Sequence, residues 1–392
     1  MRLAVIISHP IQYFSPWFQF LAAQGWLDLR VFYLWTGGGT TQLDHGFGKP
    51  VKWDIPLLEG YAHEFVPNQA RKPGARSFFE LNNPELPGRV SQFKPDAALL
   101  FGYNYLTQMR FLFSRTGREI PLIFRGDSHR LVPARGWRAG LRRRWISMVY
   151  RRCAAFLPVG QANRDYFRQH GVPEEKLFFA PHAVDNERFL GEAATAATAA
   201  ADWKRTLGIG PEQRVILFAG KFEPKKRPRD LVAAFKQADL KNTTLLLVGN
   251  GEQEADLRRD AAPHPHIVFA PFQNQTQMPR TYAAGDIFVL PSFGGGETWG
   301  LAVNEAMCLS RPVIVSSHVG CGPDLVRPRV NGLIFPAGDI AALAGALREA
   351  LADPERLHAW GRQSREIIQG YDYAHAAAGL RAAMEWVKQK RH

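Results

Sequence analysis

The feature that most constrains the fold is a regular alternation of short apolar runs with longer helical patterns. This alternation is typical of parallel sheets whose strands are joined by helices. One series of predicted strands occupies the first half of the chain, and a second series starts afresh in the second half. The predicted strands are Leu3–Ser8, Leu29–Leu34, Ala97–Phe101, Pro121–Phe124, Ala155–Val159, Val215–Ala219, Thr244–Val248, Ile267–Phe269, Ile287–Leu290 and Val313–Ser316.

Two domains are expected because 392 residues exceed what one ordinary domain supplies. The Ala-rich segment Asp185 to Ala201 lacks a clear apolar stripe and is predicted to be the linker. We therefore predict an α/β protein with two Rossmann-like domains, at residues 1–190 and 202–372. Side by side, such domains place the carboxyl ends of both sheets around one cleft, where open α/β sheets bind ligands.

Charge and cysteine content narrow the possible functions. Lys and Arg total 49 against 36 for Asp and Glu, and a net charge of +13 favours phosphate-bearing ligands, nucleic acid or an anionic membrane surface. The three cysteines form no CxxC pair, so neither a disulfide framework nor a thiolate zinc site is indicated, and a cytoplasmic location is expected. The opening apolar run is too short for a signal peptide, and no stretch approaches the roughly 18 apolar residues of a spanning helix. Any membrane association is expected to be peripheral.

Two lysines lie where a strand of the second half turns into a helix. In VILFAGKFEPKKRPRDLVAAF the apolar strand ends at Gly220, a basic turn follows, and a helix opens near Pro228. Lys221 and Lys226 can point ammonium groups into the cleft beside free backbone N–H groups, which suits a diphosphate. The alternative is a basic turn that only faces solvent.

A glycine-rich loop with two glutamates follows a later strand. In DIFVLPSFGGGETWGLAVNEAMCLSRPVIVSS the loop Ser292–Gly296 precedes a helix from about Gly300. Consecutive glycines suggest close backbone approach, and the helix start is a second anion-binding element. Glu297 precedes that helix and Glu305 interrupts its apolar sequence, where an unpaired carboxylate costs several kcal/mol. Ribose hydroxyls would supply donors to Glu305. The alternative is a helix carboxylate bonded to backbone.

With these stretches the chain resembles the retaining GT-B glycosyltransferases of family 4, also called glycosyl transferases group 1. The resemblance spans nearly the whole second half. It rests on GKFEPKKRP after a strand, LLLVGNGEQEADLRR, VFAPF followed by MPRTYAAGDIFVLPS, and the E-x7-E pattern of ETWGLAVNE. It implies a GT-B arrangement in which a C-terminal helix, residues 373–392, crosses back to the first domain.

The resemblance also implies roles for individual residues. Lys221 and Lys226 would hold the diphosphate of a nucleotide sugar, Glu305 the ribose, and Glu297 the hydroxyls of the donor sugar. Phe272 matches the position whose backbone meets the base. Further donor-site residues by this match are Gly220, Gly296, Thr298, Trp299, Gly300 and Leu301.

Three positions depart from the family pattern. Lys221 stands where Arg is more frequent, so a bidentate phosphate contact is lost while the charge remains. Arg227 and Ser310 occupy positions usually held by Gly, which puts the local backbone geometry in question.

The first half offers candidates for binding the acceptor or the transferred sugar. His9 and Pro10 stand where many relatives have two glycines, and His9 follows a strand. Tyr103 lies in a loop after a later strand. The segment FRGDSH resembles by position one that carries a sugar-contacting group, which makes Asp127 and Ser128 candidates. A lone histidine such as His9 is more often structural.

A basic block, ARGWRAGLRRRWISMVYRRC, spans Arg135 to Arg152 and interleaves seven arginines with three aromatic residues. A basic helix with such aromatics can lie on an anionic leaflet, where a lipid-linked acceptor would be found. The alternative is a solvated Arg-rich helix.

The expected activity is transfer of a sugar, with retention, from a UDP- or GDP-linked donor to a glycan or lipid-linked acceptor in bacterial cell-surface polysaccharide synthesis. No cofactor is expected. The chain has no Asp-x-Asp, so no metal bridge to the diphosphate is predicted either. A nucleotide-sugar epimerase is the rival enzyme. A nucleic-acid-binding protein is the rival from another class, which a steep salt dependence of oligonucleotide affinity would support.

Overall fold

The computed structural model describes residues 1–38, 42–44, 49–132, 136–262 and 264–390. Within these ranges the strands form two six-stranded sheets and one small hairpin. The strands are β1 (Arg2–Ile7), β2 (Asp28–Tyr33), β3 (Gln42–Asp44), β4 (Lys49–Val51), β5 (Ala62–Phe65), β6 (Ala97–Phe101), β7 (Leu122–Arg125), β8 (Ala155–Leu157), β9 (Arg214–Ala219), β10 (Thr243–Val248), β11 (Ile267–Ala270), β12 (Ile287–Leu290), β13 (Val313–Ser316) and β14 (Gly332–Phe335).

The two sheets have the same topology. The N-terminal sheet has the order β5-β2-β1-β6-β7-β8 and the C-terminal sheet the order β11-β10-β9-β12-β13-β14. Every pairing within them is parallel, whereas β3 and β4 pair antiparallel. In each sheet the chain starts in the middle, runs to one edge, returns and fills the other, which is the doubly wound Rossmann order. The predicted fold class is therefore confirmed.

Each of the ten predicted strands overlaps a strand of the structure, and four strands were not predicted: the paired short strands β3 and β4 and the edge strands β5 and β14. The buried strands are continuous apolar runs because helices cover both faces of a parallel sheet. In contrast, β5 reads AHEF and has no fully buried residue, and β14 begins with glycine and exposes Ile334. Neither edge strand carries an apolar run long enough to stand out.

Helices connect the strands and cover both sheets. They are α1 (Ser15–Ala22), α2 (Leu86–Phe93), α3 (Leu106–Phe113), α4 (Arg115–Glu119), α5 (Trp137–Tyr150), α6 (Gln161–Gln169), α7 (Asn186–Gly191), α8 (Ala193–Thr206), α9 (Pro228–Ala238), α10 (Glu254–Ala261), α11 (Met278–Ala283), α12 (Leu301–Cys308), α13 (Gly322–Leu325), α14 (Ile340–Leu351), α15 (Pro354–Ile368) and α16 (Tyr373–Gln389).

The segment predicted as a linker is helical instead. Alanine has the highest helix propensity, so the Ala-rich run forms α8, and its Ala196 and Ala200 are buried four residues apart in the C-terminal core. The chain leaves the N-terminal core at Ala180 and enters the C-terminal core at Val184. The crossing is therefore a few residues long and precedes α7.

The last helix packs on the first domain. Leu380, Ala383 and Met384 of α16 are buried in the same cluster as residues of β1 and β2. The chain thus crosses the domain boundary a second time, between the end of α15 at Ile368 and the start of α16 at Tyr373.

Candidate active site

A cavity of about 730 Å³ lies between the two domains. Its walls come from loops at the carboxyl ends of strands in both sheets, from α11 and from the first turns of α12. The predicted residues that line it are His9, Asp127, Gly220, Lys221, Lys226, Phe272, Glu297, Thr298, Trp299, Gly300, Leu301 and Glu305.

Three predicted residues do not line this cavity. Tyr103 packs its ring on Phe124 and Tyr150 in the N-terminal core. The carbonyl of Ser128 accepts a hydrogen bond from Asn163 Nδ2 at 2.8 Å. Gly296 is exposed at the tip of the glycine-rich loop.

An ion pair joins the basic turn to the glycine-rich loop. Lys226, on a single 3₁₀ turn (Pro224–Lys226), contacts Oε2 of Glu297, and that oxygen also accepts a hydrogen bond from Ser292 Oγ at 2.8 Å. Glu297 is only 8% exposed. Burial alone would raise its pKa, but the ion pair and the hydrogen bond hold the pKa of Glu297 below its ordinary value. The pair therefore keeps both charges facing the cavity before any ligand enters.

The ends of β9 and β10 approach each other closely at the cavity wall, where the chain has glycines at positions 220 and 249. Gly249 has φ of 146°, and a Cβ at this position would lie 2.0 Å from the carbonyl oxygen of Gly220. Any larger residue would push the two strand ends apart. Lys221, directly after Gly220, lines the cavity at this point.

The start of α12 is shaped by its N-cap glycine. Gly300 has φ of 101°, and a Cβ there would meet Leu290 and Val319 at 3.0 and 3.1 Å. This left-handed turn sends the chain from the loop into α12, so that the first turn, including Leu301, faces the cavity. The N–H groups at this helix start contribute positive potential where anionic groups would lie.

Glu305 is buried inside α12 and is 1% exposed. Its Oε2 accepts a hydrogen bond from the Tyr282 hydroxyl at 2.7 Å, whereas Oε1 has no well-formed hydrogen bond to a described residue. Burial raises the pKa of Glu305 to about 7, and Tyr282, Arg188 and Tyr13 counteract only part of this rise. A buried carboxylate oxygen at a cavity wall is a ready acceptor for a ligand hydroxyl.

The two domains also contact each other through polar side chains beside the cavity. Asp127 accepts a hydrogen bond from Thr298 Oγ1 at 2.6 Å, and its Oδ2 lies 3.6 Å from His182 Nε2. Burial opposes ionisation of Asp127, but His182 and Thr298 lower its pKa to about 2. His129 Nε2 lies 3.2 Å from the carbonyl oxygen of Glu297. These contacts hold the loop of α12 against the first domain.

Trp299 is fixed by a short chain of hydrogen bonds. Its indole N–H donates to Asn304 Oδ1 at 2.8 Å, and Asn304 Nδ2 donates to the carbonyl of His182 at 3.0 Å. His182, after β8, therefore touches both Asp127 and the E-x7-E element.

His9 belongs to the opposite wall. Its Nδ1 lies 2.9 Å from Ser8 Oγ, and its ring contacts Trp35 edge-on at 5.6 Å between centroids. Burial lowers the pKa of His9 to about 4, so the ring is neutral near pH 7.

Phe272 lies at the far end of the cavity. Its backbone N–H donates to Asn250 Oδ1 at 3.0 Å. Trp53, from the first domain, approaches the Phe272 ring with 6.2 Å between centroids.

Arg227 and Ser310, which stand where the family usually has glycine, both adopt a left-handed backbone conformation. Arg227 has φ of 53° and Ser310 has φ of 58°. Glycine carries no steric cost there, whereas other residues do. The Arg227 side chain forms an ion pair with Asp230 at 2.7 Å, which compensates part of that cost.

The cavity residues that received no role from the sequence include Tyr13, Trp53, His182 and Tyr282. Tyr282 lies in the segment MPRTYAAGDIFVLPS, which contributes to the family resemblance, and His182 lies in the loop after a predicted strand. Their positions in the sequence were therefore a weak indication that both residues lie near the cleft. Tyr13 and Trp53 lie in loops with no distinguishing pattern.

Within the described ranges, no group of three or more His, Cys, Asp or Glu side chains is arranged to hold a metal ion. The helices found in those ranges include none with the length and apolarity needed to cross a bilayer.

Comparison with known proteins supports the resemblance to GT-B glycosyltransferases. Residues 200–367 match the family model of glycosyl transferases group 1. A D-inositol 3-phosphate glycosyltransferase of Nocardia farcinica is 27% identical over 229 residues, which cover 55% of this chain and 49% of that protein. A sulfoquinovosyl transferase of Arabidopsis thaliana is 25% identical over 365 residues, covering 84% and 68%. The chain thus spans about half the length of most of the curated relatives it matches.

Solved structures extend the likeness to the whole fold. The structure of Anabaena HepE in complex with UDP and glucose has a TM-score of 0.71 at 18% identity, covering 98% of this chain and 100% of that chain. This likeness confirms the two-domain GT-B fold with its cleft between the domains.

Proposed function

We propose that this chain is a retaining glycosyltransferase that moves a hexose-type sugar from a nucleotide-diphosphate sugar to an acceptor bound on the first domain. The observation that carries the proposal is the convergence of Lys221, Lys226, Glu297 and Glu305 on one interdomain cavity. The group 1 match covers the domain that supplies all four.

In the proposed reaction the sugar–phosphate bond breaks and the leaving diphosphate gains negative charge. Lys221, Lys226 and the first N–H groups of α12 would stabilise that charge as the anomeric carbon becomes cationic. Glu297 would hold hydroxyls of the donor sugar, and Glu305 would accept hydrogen bonds from the ribose. A leaving phosphate oxygen takes the acceptor proton, so the proposal needs no separate base, metal ion or cofactor.

The donor is proposed to be a UDP- or GDP-linked sugar. HepE is described in complex with UDP and glucose, and a relative from Corynebacterium glutamicum is named a GDP-mannose-dependent mannosyltransferase. His9 and Asp127 on the opposite wall are proposed to contact the acceptor or the transferred sugar. Burial leaves His9 neutral, which suits hydrogen bonding to a hydroxyl.

The experiment begins with a panel of nucleotide sugars tested for thermal stabilisation of the full chain. The stabilising donors then enter hydrolysis and transfer assays with and without a chelator, and the anomeric configuration of the product is determined by NMR. Stabilisation by no nucleotide sugar would refute the proposed function. Inversion of configuration, or loss of activity with the chelator, would refute the mechanism while leaving transfer intact.

The acceptor is proposed to be a glycan or a lipid-linked glycan of bacterial cell-surface polysaccharide synthesis, reached from the cytoplasmic face of the membrane. Helix α5 supports the membrane part, because Trp137, Leu141 and Trp145 recur every four residues and are 71%, 56% and 48% exposed. Arginines border this apolar stripe on both sides, which suits an anionic leaflet. Arg135, at the start of the predicted block, lies outside the described residues.

Vesicle sedimentation tests the membrane proposal. The full chain should bind vesicles containing anionic lipid, and replacing Arg142, Arg143 and Arg144 together by Gln should release it. A matched control replaces three arginines distant from α5, namely Arg258, Arg259 and Arg381. Equal binding by both triple variants would mean that α5 is only a solvated helix.

A further inference from the structure

A loop of the first domain is fastened to the far end of the C-terminal domain. Asn274 Nδ2 donates to the carbonyl of Lys52 at 2.7 Å, and the backbone N–H of Thr276 donates to Asp54 Oδ1 at 3.2 Å. The Thr276 hydroxyl also donates to Asp54. We call these four residues the clip. The clip joins the loop between β4 and β5 to the turn that follows β11.

Trp53 lies between the two clip residues of the first domain. It is half-buried, its ring meets that of Phe272 edge-on at an interplanar angle of 64°, and both residues line the interdomain cavity. The cavity therefore has an aromatic side chain from each domain at this end. Aromatic rings offer a flat ligand stacking and edge contacts.

The order of the strands indicates which part of a donor reaches this end. Phe272 follows β11, and the loop with Glu297 follows β12, three strand positions away in the same sheet. Adjacent strands are about 4.8 Å apart, so the two loops start about 14 Å apart. A ribose and a diphosphate can span that separation. A donor with its sugar at Glu297 thus places its base beside Phe272.

We infer that Trp53 forms a second wall of the nucleobase pocket, supplied by the first domain and held in place by the clip. The inference rests on the proposed function and adds to it a residue that contacts the base from across the cleft. Because Trp53 reaches the base only while the clip is closed, affinity for the base part of the donor depends on domain closure.

The test compares a nucleoside diphosphate with inorganic pyrophosphate, which lacks a base, by calorimetric titration of the full chain. Removing base–aromatic stacking weakens binding by roughly tenfold or more. Trp53→Ala should therefore weaken UDP and GDP by about tenfold and leave pyrophosphate affinity unchanged. Trp53→Phe keeps a ring and should retain most of the affinity.

The clip is tested by Asp54→Ala, with Glu59→Gln, an exposed carboxylate on the same loop, as the control. Asp54→Ala should weaken the nucleoside diphosphate severalfold, and Glu59→Gln should not. In the double variant, adding Asp54→Ala to Trp53→Ala should cause little further loss of nucleoside diphosphate affinity, because both substitutions act through the Trp53 ring.

The outcomes separate this inference from the function on which it rests. If the wild-type chain binds no nucleoside diphosphate, the proposed function fails and the inference fails with it. If wild type binds and Trp53→Ala binds equally well, only the inference is overturned. An equal loss of pyrophosphate and nucleotide affinity in folded Trp53→Ala also overturns it, since Trp53 would then only support the fold.

Discussion

Glu305→Gln gives the sharpest test of the donor site because the buried carboxyl titrates near neutral pH. A pKa of about 7 in place of 4.5 makes the charged folded state about 3 kcal/mol less stable than it would otherwise be. The folded chain binds this proton more tightly than the unfolded chain. Stability should therefore fall as pH rises from about 4.5 to about 7 and then level off.

The carboxamide of Glu305→Gln keeps the size of the side chain and stays neutral at every pH. The variant should match wild type near pH 4.5 and become more stable than wild type by about 3 kcal/mol above pH 7. Urea unfolding of both proteins at each pH measures the difference. A difference that stays constant across the pH range would refute the assignment of a raised pKa to Glu305.

The pH dependence of ligand binding should also reveal the ionisation of Glu305. If ribose hydroxyls donate to the carboxylate, nucleoside diphosphate affinity of wild type relative to Glu305→Gln should rise about tenfold between pH 6 and pH 8, as the carboxyl ionises. The ratio cancels the titration of the phosphates. Glu297→Gln serves as the control, since the pKa of Glu297 is lowered and this group does not titrate in that range. At pH 8, Glu305→Gln should weaken free nucleotide and donor by similar free energies.

Three further outcomes are expected. Lys226→Ala should weaken the binding of nucleoside diphosphate and of every nucleotide sugar by about 1.5–3 kcal/mol in calorimetry. Lys225→Ala removes a half-exposed neighbouring lysine and should have a much smaller effect. Equal losses in the two variants would show that Lys226 does not bind the diphosphate. Glu297→Gln should lower turnover or donor affinity but leave free nucleotide binding nearly intact, because the proposed partner of Glu297 is the donor sugar and not the nucleotide; a loss as large as that of Glu305→Gln would contradict the division of roles. Ser310→Gly should raise the unfolding free energy by up to about 1 kcal/mol by relieving left-handed strain, and unchanged or lower stability would show that the strain is negligible.

The parts of the structure that could be predicted are those that depend on short, local sequence patterns. Buried parallel strands are apolar runs, so ten of them could be placed. The E-x7-E element was readable because Glu297 and Glu305 flank one helix start. Lys221 and Lys226 could be placed near the cleft because both lie in the short segment between the end of β9 and the start of α9.

Contacts between residues that are distant in the sequence could not be predicted from local sequence patterns. Tyr282 reaches Glu305 across 23 residues, and His182 meets Trp299 only because the two domains face each other. The Ala-rich segment was misassigned because its repeated alanines give no apolar stripe that would show which face is buried. Tyr103 follows β6, yet its ring turns into the core rather than towards the cleft.

The double crossing of the chain sets the boundaries at which this protein can be recombined with a relative. An exchange of C-terminal domains at a single junction would carry the foreign α16 along with the new domain and lay unmatched side chains on the native β1–β2 surface, where Leu380 and Met384 now pack. A chimera that keeps the native packing needs two junctions, one between Ala180 and Val184 and one between Ile368 and Tyr373. In this architecture the interchangeable module is the segment between these two junctions, which is inserted into the first domain.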